Sequence, residues 1–220
     1  MNDLPQLSGP EAEPASGGPA KQLIIFVHGY GADGNDLLSL SQYFAQAAPD
    51  AAFISPNAPY RCAGAPFGYQ WYDVWMQDPA ERLAAIRGTA EIFGNFITRK
   101  LDRRGLTEEN LVLIGFSQGT MMSLFSAPRR AAAVAGIVGY SGRMEAPDRL
   151  ADDIRSKPPV VMVHGDSDEL LAVSDMETAA AALKGCGVEV ETHVRPGLGH
   201  GIDEEGIRIG LEFVKRVLGT

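Results

Sequence analysis

Short apolar runs alternate with amphipathic stretches from residue 22 onwards, and this alternation constrains the fold more than any single motif. Runs such as QLIIFVH, LVLIG and PPVVMVH are apolar at nearly every position, which is typical of parallel strands buried on both faces. The predicted strands cover residues 22–28, 52–55, 111–115, 134–140, 159–164 and 188–194. The predicted helices cover residues 36–47, 79–104, 118–127 and 173–184, with a last helix from 203. The pattern predicts an α/β fold, in which a mostly parallel sheet carries helices on both faces.

The segments outside this alternation set the expected domain organisation. Residues 1–20 are rich in Pro, Gly, Ala and Ser and are expected to form a flexible arm, with a short strand near Leu7 and Ser8. Residues 21–220 are long enough to bury one substantial core and are expected to form a single domain. Residues 56–78, with their prolines, glycines and aromatic residues, predict a long irregular excursion from the sheet.

Charge and cysteine content exclude several functions. The formal net charge of −9 argues against a nucleic-acid partner, which would need a basic surface. No apolar run approaches the roughly 20 residues that cross a bilayer, so no integral membrane segment is expected. The acidic N-terminal stretch lacks the apolar segment of a secretory signal. Two cysteines, Cys62 and Cys186, form neither a CxxC pair nor a metal-ligand spacing, so no metal site is expected. This cysteine content favours a cytoplasmic protein with reduced thiols over a secreted form with one disulfide.

The stretch LVLIGFSQGTMM places Ser117 between a predicted strand and a predicted helix. A G-x-S-x-G sequence at such a junction is the pattern of a nucleophile elbow, although five residues alone are a weak signal. A serine nucleophile also needs a base, an orienting acid and an oxyanion hole. In this fold class the order along the chain is serine, acid and then histidine.

Elimination among four histidines selects the base. His28 and His164 come before the candidate acids, and His193 lies inside a predicted strand. His200 lies in a glycine-flanked loop beyond that strand, where an imidazole can reach over the edge of the sheet. His200 is therefore the predicted base.

The acid stays open at this point. Asp166, Asp168 and Glu169 all follow the strand that ends at His164, and spacing alone does not choose among them.

A glycine-rich turn after the first strand has two interpretations. Gly29, Gly31 and Gly34 match G-x-G-x-x-G and could form a dinucleotide-binding turn. That fingerprint expects an acidic residue at the end of the second strand, where this chain has Ser55 followed by a proline. The alternative is that backbone N–H groups of this turn supply half of an oxyanion hole, beside the N–H of the residue after Ser117.

Several separated motifs in this order identify a family. FVHGYGADGNDL, SPNAPY, QWYD, GFSQGT, HGDSDELL and GLGHGI are spaced as in the phospholipase/carboxylesterase family of α/β hydrolases, which includes acyl-protein thioesterases. The chain resembles this family from about residue 21 to residue 218. The resemblance implies an α/β-hydrolase fold without a large cap domain.

The resemblance also implies roles for particular residues. Ser117 matches the nucleophile, Asp168 the acid and His200 the base, which leaves Asp166 a structural role. The backbone N–H groups of Tyr30 and Gln118 match the oxyanion-hole donors. The aromatic loop after the second strand and the residues after the acid are the candidate walls of the acyl pocket, represented by Trp71 and Leu171.

Two departures from the family pattern concern the surroundings of the site. Thr120 stands where the family commonly has glycine, and we expect adjusted packing without loss of activity. The sequence after Asp168 lacks the proline that often follows in the family, which affects the shape of the acyl pocket.

The function implied is hydrolysis of a carboxylic ester or thioester, with lysophospholipids as a further substrate class, and no cofactor. The expected partner is a small-molecule substrate, and family members sometimes form homodimers. The alternatives are a catalytically silent binding protein on the same fold and, more remotely, a dinucleotide-dependent oxidoreductase.

Overall fold

The computed structural model describes residues 4–64 and 67–220. Its strands are β1 (Glu11–Ala12), β2 (Gln22–Val27), β3 (Ala51–Ile54), β4 (Tyr60–Arg61), β5 (Tyr69–Gln70), β6 (Leu111–Phe116), β7 (Gly136–Tyr140), β8 (Val160–Gly165) and β9 (Val190–Arg195). Seven of them form one sheet in the order β1-β3-β2-β6-β7-β8-β9. All neighbours in this sheet are parallel except β1, which is antiparallel to β3.

Helices cover both faces of the sheet. They are α1 (Gly34–Leu38), α2 (Ser41–Ala47), α3 (Pro79–Arg104), α4 (Gln118–Ser126), α5 (Leu150–Asp153), α6 (Val173–Gly185) and α7 (Glu204–Leu218). Alternate side chains of β2 enter two separate apolar clusters, one shared with α3, α4 and α6 and the other with α1, α2 and α7. Chains of this size bury enough apolar surface for two such layers. This architecture confirms the predicted α/β-hydrolase fold, and the described residues add no separate cap domain to it.

The longest helix begins and ends where the sequence indicates. The Asp78 side chain accepts a hydrogen bond from the Ala80 N–H at 2.8 Å and caps the first turn of α3. At the other end Gly105 adopts a left-handed conformation with φ of 64°. Glycine adopts this conformation without the Cβ clash of other residues, so the chain can leave the helix there.

Two predicted elements differ from the structure. The helix predicted over residues 36–47 is divided into α1 and α2, and the Ser39 hydroxyl at the break donates to the carbonyl of Asp36. Serine side chains compete with helical backbone hydrogen bonds in this way. The excursion over residues 56–78 is not wholly irregular, because β4 and β5 pair within it as a small hairpin.

The N-terminal segment, predicted as a flexible arm, lies against the edge of the sheet. The sequence predicts a short strand near Leu7 and Ser8. The structure places it four residues further on, as β1 at Glu11–Ala12. The carbonyls of Ser8 and Pro10 accept hydrogen bonds from Asn57 and Ser55, and the Glu11 carboxylate pairs with side chains of α3. These contacts are long-range, so local composition does not reveal them. The first three residues of the predicted arm lie outside the described residues.

Among the described residues, no helix combines the length and the apolar character that crossing a bilayer requires.

Candidate active site

Ser117 lies at a sharp turn between β6 and α4. Its φ of 52° and ψ of −117° are unusual for a residue with a side chain, and such backbone strain costs roughly 1–3 kcal/mol. Glycines on either side allow the close approach: a Cβ on Gly115 would lie 2.5 Å from the Thr120 nitrogen, and one on Gly119 would run into the carbonyl of Val27. The Ser117 side chain does not cap α4, which leaves its hydroxyl free for other partners.

The carbonyl of Tyr140, at the end of β7, holds this turn in place. It accepts a hydrogen bond from the Ser117 N–H at 2.9 Å and another from the Thr120 hydroxyl at 2.8 Å. Thr120 is completely buried, and its side chain packs against Gly139 and Gly142. The threonine therefore fits the site by using its hydroxyl on β7 and its bulk against two glycines.

An acid and a base meet at the ends of β8 and β9. The His200 Nδ1 lies 2.7 Å from Asp168 Oδ2, with the carboxylate completely buried and the imidazole mostly so. Because the carboxylate is an acceptor, Nδ1 carries the proton and Nε2 keeps its lone pair. The rings of His200 and Phe116, the residue before Ser117, have centroids 5.1 Å apart. The structure thus brings the predicted base beside the predicted nucleophile turn.

The backbone of the loop after β8 orients the Asp168 carboxylate. Oδ1 accepts hydrogen bonds from the N–H groups of Leu170 and Leu171, at 2.9 and 3.0 Å. Burial by itself would raise the pKa of Asp168, but the hydrogen bonds from Leu171, His200 and Leu170 outweigh it and hold this pKa below its usual value. The carboxylate is therefore ionised while it faces the imidazole.

The neighbouring acid has a different partner. Asp166 Oδ1 accepts from the Gly197 N–H at 2.7 Å and from the Ser167 hydroxyl at 3.0 Å. Asp166 therefore stabilises the loop that leads to His200, whereas the hydrogen bond to the imidazole is made by Asp168. Glu169 is exposed.

The two predicted oxyanion-hole residues belong to different segments that both approach Ser117. Gln118 is the first residue of α4, so its N–H has no partner within the helix. Its buried side chain bonds the Trp71 N–H at 3.0 Å and the Tyr72 carbonyl at 2.7 Å. Tyr30 belongs to the turn after β2, and Gly29, the residue before it, is so close that a Cβ there would lie 3.3 Å from the Ser117 Cβ.

The glycine-rich turn is already bonded to protein groups. The Gly31 N–H donates to the Tyr69 carbonyl at 3.0 Å, and the Gly34 N–H donates to the Asn57 side chain at 2.8 Å. Two of the N–H groups that would cradle a pyrophosphate are thereby used inside the protein. This arrangement does not favour the dinucleotide interpretation of Gly29, Gly31 and Gly34.

Trp71, predicted as part of the pocket wall, lies in the hydrophobic core of the structure. Its side chain is completely buried, its ring packs edge-on against Phe93, and its Nε1–H donates to the carbonyl of His28 at 2.9 Å. Leu171 is partly buried against the same apolar cluster as Trp71. The backbone of Leu171 takes part in the polar contacts of the site, since its N–H donates to Asp168 and its carbonyl lies 3.0 Å from His164 Nε2.

Three polar residues around the site were not assigned from the sequence. His28 is buried beneath the Tyr30 turn, where its Nε2 accepts from the Ala58 N–H and its Nδ1 donates to the carbonyl of Gly29. His164 Nε2 lies 3.2 Å from Asp168 Oδ2. Ser141, with a φ of 44°, donates to the carbonyl of Gly201. The signal they share is their position at or just beyond the carboxyl end of a strand.

Within the described residues no three His, Cys, Asp or Glu side chains are grouped closely enough to hold a metal ion.

The sheet, the strained serine turn and the histidine–carboxylate pair define an α/β hydrolase with a serine-centred candidate site. The phospholipase/carboxylesterase family model matches residues 12–218, so the chain belongs to that family. This membership makes it a carboxylic ester hydrolase.

Relatives and solved structures are similar over most of their length. Acyl-protein thioesterase 1 of Gibberella zeae is 29% identical over 212 residues, which cover 89% of this chain and 90% of the relative. Esterase YpfH of Escherichia coli is 25% identical over 197 residues, covering 90% and 83%. The crystal structure of esterase PE8 superposes with a TM-score of 0.92 at 37% identity, covering 97% of this chain and 100% of that one.

Proposed function

We propose that the protein hydrolyses carboxylic esters and thioesters through an acyl-enzyme on Ser117, with His200 as base and Asp168 as the orienting acid. The observation that carries the proposal is the 2.7 Å contact between His200 Nδ1 and a buried Asp168 carboxylate, beside the strained turn that holds Ser117. Because the ionised Asp168 carboxylate accepts a hydrogen bond from Nδ1–H, the lone pair of His200 is on Nε2, where it can accept a proton.

In the first half of the reaction the Ser117 oxygen forms a bond to the substrate carbonyl carbon, and its proton passes to His200 Nε2. The carbonyl electron pair moves onto oxygen and gives a tetrahedral oxyanion. When that pair returns, the bond to the leaving oxygen or sulfur breaks, and the proton on Nε2 goes to the leaving group. Asp168 stabilises the imidazolium throughout and holds its orientation.

In the second half, water takes the place of the serine hydroxyl. It gives its proton to His200 Nε2, attacks the acyl carbon, and the Ser117 oxygen leaves with that proton. The backbone N–H groups of Tyr30 and Gln118 are the proposed donors to both oxyanions. Each donor of this kind contributes roughly a hundredfold to a thousandfold in rate in other hydrolases.

Labelling by a fluorophosphonate probe tests the nucleophile, with p-nitrophenyl acetate as the turnover substrate. We expect the wild-type protein to be labelled on Ser117 and to lose its esterase activity on labelling. Ser117→Ala should be unlabelled and slower by several orders of magnitude. Ser123→Ala is a matched control in the same helix. A Ser117→Ala variant that hydrolyses the ester at the wild-type rate would overturn the mechanism, and an unlabelled, inactive wild type would favour a silent binding protein.

The leaving group is a narrower question. Relatives named acyl-protein thioesterase and esterase align over similar shares of this chain, so both oxygen and sulfur esters fall within the proposal. A series of p-nitrophenyl esters and matching thioesters of rising acyl length would rank them by kcat/KM.

The homodimer and the cytoplasmic location stay predictions. Light scattering of the purified protein and fractionation of the source cells would check them.

A further inference from the structure

A cavity of about 580 Å³ lies between the first turn of α3 and residues 143–149, the loop that follows β7. Its walls combine apolar groups such as Leu83 and Met144 with three guanidinium groups, those of Arg82, Arg143 and Arg149. Its volume is within the range of small-molecule sites. We call it the arginine cavity.

One nearly buried carboxylate holds two of the guanidinium groups. Glu145 accepts from Arg143 at 2.7 Å and lies 3.3 Å from Arg82 Nε, while its own side chain is only 7% exposed. The Tyr72 hydroxyl donates to the same carboxylate at 3.3 Å. One negative charge therefore faces two positive charges, and about a third of the Arg143 side chain stays exposed.

The remaining charges leave the wall positive. Arg149 lies 3.4 Å from Asp148, and both are largely exposed, so that pair contributes little. Three arginines against Glu145 and Asp148 leave one net positive charge among the residues that line the cavity, and Asp175 of α6 acts on Arg143 from outside this lining. A guanidinium held in place by a carboxylate is preorganised for a second planar anion.

The first turn of α3 adds to this field. Pro79 and Ala80 line the cavity, and they begin a helix of 26 residues. The amino end of a helix carries a partial positive charge that favours anions nearby. Two acids of the same region, the capping Asp78 and Glu81 of the first turn, are not part of the cavity wall.

The arginine cavity borders the turn that holds Ser117. A Cβ on Gly142 would lie 3.0 Å from the Ser117 carbonyl oxygen, and Arg143 is the next residue, about 3.8 Å further along the chain. From the other side, the Tyr72 hydroxyl contacts both Glu145 and the sulfur of Met121 in α4. Packed residues therefore connect the wall of the arginine cavity directly with the turn that holds Ser117.

We propose that the arginine cavity is an anion subsite, which binds a phosphate or carboxylate group carried by the ester substrate. Arg143 and Arg82 are the proposed ligands, and Glu145 limits the positive charge that they offer. This inference rests on the proposed function, since it concerns the second end of the same substrate. It assigns negatively charged esters as the preferred class.

Matched pairs of neutral and anionic esters test the subsite. The carboxylate pair is p-nitrophenyl pentanoate and p-nitrophenyl hydrogen glutarate, and the phosphate pair is 1-acetylglycerol and 1-acetylglycerol 3-phosphate. The measured quantity is the ratio of kcat/KM for the anionic ester to that for the neutral one. Both kcat/KM values are measured on the same preparation of each variant, so a smaller fraction of folded protein lowers them equally and leaves their ratio unchanged.

Arg143→Gln should lower this ratio by about tenfold to a hundredfold in at least one pair, as expected for the loss of a charge-assisted hydrogen bond. Glu145→Gln should change the ratio in the opposite direction, raising it by about threefold to tenfold, because both guanidinium groups are then uncompensated. Arg103→Gln is the control, on the exposed last turn of the same helix and about 35 Å from the cavity. Melting curves verify that each variant is folded.

The outcomes separate the two proposals. A ratio that changes in one pair only supports the subsite and identifies which anion it binds, the carboxylate on the acyl chain or the phosphate on the alcohol. Equal ratios in wild type, Arg143→Gln and Glu145→Gln, with neutral esters hydrolysed normally, would overturn the subsite and leave a structural ion-pair cluster. A wild type that hydrolyses neither member of any pair, nor p-nitrophenyl acetate, would overturn the proposed function and the subsite with it.

Discussion

The Ser141 hydroxyl donates a hydrogen bond to the carbonyl of Gly201 at 3.1 Å, and this bond ties the end of β7 to the residue that follows His200. The preceding residue, Tyr140, accepts from the Ser117 N–H. Adjacent residues of one strand end therefore contact both the nucleophile turn and the loop of the base. The relative position of Ser117 and His200 depends on this short connection.

Ser141→Ala should reduce kcat on p-nitrophenyl acetate by about twofold to tenfold, because one buried hydrogen bond contributes roughly 1 kcal/mol to the position of the loop. Ser126→Ala is the matched control, since its hydroxyl is buried without a hydrogen-bond partner among the described residues. Equal kcat values for wild type and Ser141→Ala would show that the connection does not position the base.

The two aspartates after β8 should differ sharply. Asp168→Asn removes the ionised partner of His200 Nδ1 and should lower kcat by about 10⁴, the order seen for the equivalent change in other triads. In Asp166→Asn the side-chain oxygen can still accept from the Gly197 N–H, so we expect a change of less than about tenfold. Steady-state kinetics on one ester suffice, and a greater loss in Asp166→Asn would reverse the assignment.

His28 should make the stability depend on pH. Burial lowers its pKa more than the hydrogen bond to Gly29 and the charges of Asp33 and Asp36 raise it. The unfolded chain therefore takes up a proton near pH 6.5 that the folded protein does not bind. This contribution to the free energy of unfolding is fully present above about pH 6.5 and is lost as the pH falls towards the folded pKa.

Urea unfolding of wild type and His28→Gln at pH 7.5 and pH 5.5 measures this contribution. The loss of stability on acidification should be smaller in the variant, which lacks the titrating group. His193→Gln is the control, because that side chain is 40% exposed on β9. An identical pH dependence in wild type and His28→Gln would contradict the prediction.

The two tryptophans provide a test of core against surface. Trp71→Phe leaves the His28 carbonyl without its donor and creates a cavity beside Phe93, which should lower the free energy of unfolding by about 2–4 kcal/mol. Trp75→Phe changes a side chain that is 67% exposed and should stay within about 0.5 kcal/mol of wild type. A Trp71→Phe variant as stable as wild type would place that ring outside the core.

Periodicity was sufficient for most of the sheet and for α3, because strands buried on both faces and a capped amphipathic helix leave strong local patterns. Ser117 and His200 also follow from chain order, since parallel strands bring their carboxyl ends to one edge. Asp168 does not, because three acids follow the same strand and only the family resemblance chooses among them. Trp71 shows where this reasoning stops. An aromatic residue in a loop has the same local sequence whether its ring lines a pocket or enters the core.

The polar groups that orient the site were harder to predict. His28 acts through Gly29 and Ala58, and Ser141 acts through Gly201, sixty residues away along the chain. The sequence around such a residue carries no pattern that indicates which distant group it will bind. The contacts of the N-terminal segment were hard to predict for the same reason, since its carbonyls accept from Ser55 and Asn57 of a distant segment.

The two outer strands of the sheet determine how the protein can meet another copy of itself. β1 is only two residues long, and Glu11 within it is engaged by Lys100 and Arg104. At the opposite side β9 carries Glu191 and Arg195, which are partly exposed and pair with Arg216 and Asp203. The shortness of β1 and the charged side chains of both outer strands resist strand-to-strand joining between molecules.

Loss of the first twenty residues would uncover β3, whose four residues are all apolar and buried. The arm therefore supplies β3 with hydrogen-bond partners from its own chain, so that edge is not open to a strand of another molecule.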